Sequence, residues 1–140
     1  MSKENVEIVR QVIEAWNQRD EDLAVSYMAP DVEWAPAGPA AVERTVYHGR
    51  EECSRGFAAV WETWDEFHFK ETEVRDSGDW VLWLGHVRAR GKTSHVAFDQ
   101  EFAHHVVLLG GKIVRVRAFL TWHEALEAVG LSEHDAHAAS

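Results

Sequence analysis

The sequence predicts an α+β fold in which helices pack on one face of a curved, mainly antiparallel sheet, making a cone-shaped barrel. Three observations predict it. Helical apolar periodicity fills the first half of the chain, strand-like alternation fills residues 67–122, and Gly110-Gly111 separates two long β-rich runs. Runs of helices followed by runs of antiparallel strands settle into separate layers rather than βαβ units. The 140 residues, 46% of them apolar, can bury one core but not two. The reading is a single domain over residues 1–131, with a flexible polar tail over 132–140.

The elements follow in order. From Asn5 to Gln18, the residues Ile8, Val9, Val12, Ile13 and Trp16 share one stripe, the pattern of a helix with one buried face. Asp20 is placed to cap a second, shorter helix whose inner face is Leu23, Ala24, Tyr27 and Met28, with Pro30 ending it. Asp31 to Ala35 alternates as a short strand. Pro36 to Tyr47 reads as an irregular loop, long enough to act as a lid. A third helix runs from Gly49 to Trp64 on the stripe Phe57, Val60, Trp61 and Trp64. Phe67–Arg75 and Trp80–Arg90 form a strand pair around the turn-rich Asp76-Ser77-Gly78-Asp79. Thr121 and Glu124 match a capping box for a last helix to Val129, which Gly130 closes.

The segment from His95 to Trp122 organises the rest. A two-residue turn at Gly110-Gly111 needs positive φ, which glycine supplies freely. Such a turn opposes Leu109 to Lys112, His105 to Val116, Ala103 to Ala118 and Glu101 to Leu120. Opposed residues share a face. Asp99, Glu101, Ala103, His105 and Val107 then meet Val114, Val116, Ala118, Leu120 and Trp122. Ionisable groups from one strand against an apolar neighbour make this the expected pocket wall. His105 is the expected general acid/base, since imidazole titrates near neutrality. Glu101 and Asp99 are possible second groups or rim carboxylates. Trp16, Tyr27, Trp34, Trp83, Val116, Ala118, Leu120 and Trp122 are the expected substrate-binding wall. The reverse register puts His104 inside instead. In the expected register the other face carries Arg115, Arg117 and His104 among Phe98, Phe102, Ile113 and Phe119, a face suited to a homodimer.

Composition narrows the classes. A formal charge of −10 without a basic tract argues against nucleic acid. No stretch approaches the roughly 20 apolar residues that span a bilayer, and the charged start MSKENVEIVRQ does not read as a signal peptide. One cysteine, Cys53, forms no internal disulfide, which fits the cytoplasm. The histidine spacing suggests no metal site, since adjacent His104 and His105 point to opposite faces. No cofactor is expected, and the expected partner is an apolar small molecule.

The stretches AWNQRDEDLA, APDVEW, YHGREE and GGKIVRVRAFLTWHEALEAVGL resemble SnoaL-like proteins of the ketosteroid isomerase and nuclear transport factor 2-like superfamily, over nearly the whole chain. The resemblance implies the cone fold, frequent homodimerisation through the outer sheet face, and acid/base chemistry such as isomerisation, cyclisation or hydrolysis of apolar cyclic or polyketide-like compounds, or else non-catalytic binding. It carries over unevenly. The isomerase helix-1 tyrosine falls near Val12 and the general-base aspartate at Ala35, while the second oxyanion-hole position falls at about His105. The cyclase histidine matches His105, but the acid/base aspartate falls around Leu120-Thr121 and is missing.

Overall fold

The computed structural model describes residues 2–130; the expected tail, 132–140, lies outside the described residues. Helix α1 (Ser2–Asn17) and the short α2 (Glu21–Ser26) lead into strand β1 (Met28–Ala35), a 3-10 turn (Gly38–Ala40) and strand β2 (Tyr47–His48). Helix α3 (Gly49–Thr63) follows, then β3 (Trp64–Ser77), β4 (Trp80–Gly91), β5 (Ala97–Leu109), β6 (Lys112–Phe119) and helix α4 (Trp122–Ala128). The strands form one open, curved sheet of order β2-β1-β6-β5-β4-β3, antiparallel except for the β1–β6 pair. This is the expected α+β cone, its edges left unjoined.

Each helix has a local cause. Asp20 caps α2 by accepting a hydrogen bond from the Leu23 N–H, and Thr121 caps α4 by accepting from the Glu124 N–H at 3.2 Å. The second helix stops before Tyr27, one turn earlier than its apolar pattern suggested. Met28 and Pro30 belong to β1 instead. Proline is tolerated there because the β1–β6 ladder is interrupted between Met28 and Glu33, where no donor is required.

Helix α1 is fastened to β3 by polar side chains. Asn17 both donates to the Phe69 carbonyl at 2.9 Å and accepts from the Phe69 N–H at 2.8 Å, taking the place of a neighbouring strand. The Trp16 indole donates to the Phe67 carbonyl at 3.3 Å. These contacts cover part of the β3 edge, which would otherwise present unpaired backbone groups. Toward the opposite edge of the sheet, Gly56 of α3 comes so close to β1 and β2 that an added Cβ would lie 2.8 Å from the rings of Trp34 and Tyr47.

The core divides in two. Inside the cone, Trp16, Trp34, Phe57, Phe67 and Phe69 form a cluster of edge-on and tilted rings. Outside it, α4 packs Ala125 and Leu126 against Leu82, Leu84, Ala103 and Phe119. The last helix therefore covers part of the convex face.

Candidate functional site

The decisive feature is an irregularity in the β5–β6 hairpin. The turn is the one expected, with φ of 57° at Gly110 and 78° at Gly111, and Leu109 opposes Lys112. Beyond Leu108–Ile113 the register shifts, so that Val107 faces Arg115, Val106 faces Val116, His105 faces Arg117 and His104 faces Ala118. Val114 is thus an extra residue on β6, a bulge that changes which face the following residues occupy. The expected inward placement of His105 is corrected by this shift: His104 faces the interior, and His105 faces outward beside Arg115 and Arg117. Phe102 and Ile113, expected outside, are inside for the same reason.

A cavity of about 60 Å3 lies between α1, α3 and the concave side of the sheet. Helix α1 contributes Val9, Val12, Ile13 and Trp16, while the sheet contributes Trp34, Phe102, His104, Val106, Val116 and Ala118. Pro36 and Ala40 bring the β1–β2 connection to its wall. That connection is held in place: the Trp64 indole donates to the Pro39 carbonyl at 2.9 Å, and Leu120 lies directly over Gly38, a glycine at φ 53°.

Among the described residues His104 is the one titratable group lining this cavity. It is 7% exposed and surrounded by the rings of Phe69, Trp83 and Phe102 at 5.0, 5.5 and 5.1 Å. Its Nδ1 is buried without a hydrogen-bond partner. Burial in this apolar setting pushes its pKa down to about 3, because the charged form loses its hydration and gains no counter-charge. At neutral pH His104 is therefore an uncharged imidazole. It can donate or accept a hydrogen bond but does not stand ready as an imidazolium.

The remaining expected site residues separate. Trp16, Trp34, Val116 and Ala118 line the cavity. Trp83 is fully buried behind His104 and does not reach the lining, and Tyr27 packs at the edge of the core. Leu120 is 39% exposed over Gly38. Trp122 lies on the convex side, where its indole donates to the Gly85 carbonyl at 2.8 Å. Glu101 accepts from the Trp122 backbone N–H at 2.9 Å and so braces the start of α4. Asp99 is exposed beside Arg88 on the β4–β5 ladder. Neither carboxylate shares the cavity with His104, since both stand on the opposite face of β5. Cys53 is buried and its thiol is pushed up to about 12, mainly by desolvation, which makes it a poor nucleophile. Among the described residues no cluster of His, Cys, Asp and Glu could hold a metal ion, and no helix is long and apolar enough to cross a membrane.

One sequence signal could have located His104. On β5 alone, the even-numbered residues Phe98, Phe102, His104, Val106 and Leu108 are the more apolar set. On β6, Val116 and Ala118 are the apolar set. A bulge-free hairpin cannot turn both sets inward, and that conflict of parity is the mark of one extra residue.

The comparisons agree with this geometry. The profile of the SnoaL-like domain matches residues 9–116. An NTF2-like protein of unknown function from Burkholderia pseudomallei is similar at a TM-score of 0.77 and 24% identity, covering 93% of this chain and 99% of that one. A protein with a ketosteroid isomerase-like fold from Catenulispora acidiphila, in complex with trimethylamine, gives a TM-score of 0.73 at 20% identity, covering 89% and 93%. A SnoaL-like polyketide cyclase, so described, from Jannaschia gives 0.75 at 18% identity, covering 85% and 86%. At these identities the structural neighbours speak for the fold alone. No curated protein matches. With a profile match that spans most of the chain and a cone whose concave side encloses an apolar cavity, the protein belongs to the SnoaL-like domain family.

Proposed function

We propose that the protein binds an uncharged, compact and largely apolar molecule in its cone, held by one hydrogen bond to His104. The observation that carries this reading is His104 itself: a neutral, buried imidazole with an unpartnered nitrogen in an otherwise apolar wall. A buried polar atom without a partner costs roughly 1–3 kcal/mol, and a ligand hydroxyl or carbonyl would recover part of that cost. A charged ligand would have no counter-ion there. The cavity is small beside the roughly 300–1,000 Å3 of sites for drug-sized ligands, so larger molecules require the Pro36–Ala40 connection or the tryptophan rings to move. A cytoplasmic setting accords with the unpaired, buried Cys53.

A second reading, catalysis on a cyclic or polyketide-like carbonyl compound, draws on the same residue. A neutral imidazole can polarise a carbonyl by donating a hydrogen bond. Support comes from the family resemblance and from His104 occupying the cavity in place of His105. One experiment separates the readings. Phenol and cyclohexanone are titrated at about pH 5.5 and about pH 8 while tryptophan emission is followed, and the ligand is then recovered and analysed. Binding should be saturable, equal at both pH values, and weakened about tenfold or more in His104→Phe. Unaltered ligand supports binding alone, and conversion that disappears in His104→Phe supports catalysis. No saturable response, or equal affinity in the variant, overturns both.

A further inference from the structure

The convex side of the sheet carries a separate chemical feature. Arg115 and Arg117 flank the inward-facing Val116 on β6, so both guanidinium groups leave the same side of the sheet. Across the ladder, His105 stands directly opposite Arg117. Its ring lies 5.5 Å from that of Trp80, and its Nε2 is buried without a partner. The nearness of the two arginines, after desolvation, holds His105 below the usual imidazole range.

Arg10, Arg44, Arg75 and Arg88 each lie within 4.0 Å of a carboxylate. Among the described residues neither Arg115 nor Arg117 forms an ion pair. Arg117 rests 4.8 Å above the Phe119 ring. Glu33, the β1 neighbour of Arg115 in the ladder, has its carboxylate 3.8 Å from His48. Two like charges side by side on a sheet repel, and they do so here in a chain whose formal charge is −10. An anion shared between the two removes that repulsion, and a guanidinium fork fits a carboxylate with two parallel hydrogen bonds. Beside the arginines, the half-buried Val107 and Trp80 form an apolar strip, successive neighbours of Arg115 across β5 and β4. At roughly 4.8 Å per strand, Trp80 lies about 10 Å from Arg115, a span that an aryl acid and the two side chains can bridge.

We propose that this face binds a small organic carboxylate, its acid group shared by Arg115 and Arg117 next to His105 and its apolar part lying on Val107 and Trp80. The site is independent of the cavity, which opens on the other side of the sheet. Benzoate is the probe, titrated into 15N-labelled full-length protein at constant ionic strength while the arginine Nε–H and Trp80 indole signals are followed. Saturable shifts are expected at Arg115, Arg117 and Trp80. Affinity should fall tenfold or more in the Arg115→Gln/Arg117→Gln double variant and stay unchanged in His104→Phe. Benzyl alcohol, which lacks the charge, should leave the arginine signals in place. The proposal is overturned if the shifts fail to saturate, if the double variant keeps them, or if chloride at equal ionic strength reproduces them. A concentration-dependent dimer that buries both arginines and excludes benzoate overturns it as well.

Discussion

Acidifying the protein from about pH 7 to about pH 4.5 should draw a measurable stability loss from His104 alone. In the folded state burial holds its pKa at about 3, whereas the unfolded chain restores the ordinary value of 6.5. Between those values the unfolded state binds a proton that the native state does not, so stability decreases as pH falls. The contribution is fully present above about pH 6.5 and declines through the whole window down to about pH 3. Each pH unit in that window costs about 1.4 kcal/mol. Two units, to pH 4.5, cost about 2.7 kcal/mol, a large share of a typical stability of about 5–15 kcal/mol. The half-buried His105 is shifted in the same direction, so a variant must isolate the contribution of His104. His104→Phe suits this purpose, because the site is already ringed by Phe69, Trp83 and Phe102 and adjoins the cavity. Urea unfolding followed by tryptophan emission gives the stability of both proteins at each pH. At neutral pH the variant should equal or exceed the wild type, since it removes a buried polar atom with no partner. By pH 4.5 the variant should have gained about 2–3 kcal/mol on the wild type relative to neutral pH. Parallel curves for the two proteins would refute both the burial of His104 and its neutral state.

Two further outcomes test how the cone is held. Asn17→Ala deletes both hydrogen bonds to Phe69 and leaves a strand-edge N–H and C=O unsatisfied, so urea unfolding should show a loss of about 2–3 kcal/mol; a loss below about 0.5 kcal/mol would mean water replaces the side chain at little cost. Gly56→Ala sets helix propensity, worth about 1 kcal/mol in favour of alanine, against a Cβ driven into the Trp34 and Tyr47 rings. Overpacking should win by about 1–3 kcal/mol and lower the Tm, whereas a raised Tm would show that α3 can lift away from the sheet freely.

Much of the architecture was written locally. Turn glycines announced the β5–β6 hairpin, the Asp20 and Thr121 caps marked helix starts, and the stripe from Ile8 to Trp16 gave α1 its buried face. Each depends on neighbours a few residues apart, which a sequence displays directly. The apolar pattern overextends the second helix because Tyr27 and Met28 continue it, while Tyr27 caps the helix end and the pairing of Met28 with Ile113 on a distant strand claims Met28 for the sheet. Four of the expected wall residues, Trp16, Trp34, Val116 and Ala118, do line the cavity. Trp83 and Trp122 do not: an aromatic residue is apolar wherever it packs, and composition cannot tell core from wall.

The sequence by itself determined the family, the order of elements, the turn at Gly110-Gly111 and the presence of a histidine pair on the strand before it. Tertiary structure alone decided which histidine enters the cone. Side chains on a strand alternate with a period of two, so one additional residue at Val114 exchanges His105 for His104 on the cavity wall and places His105 with Arg115 and Arg117. A bulge of this kind is selected by burial on the two sheet faces, against α1 and α3 on one side and α4 on the other. That balance exists only once the layers have come together.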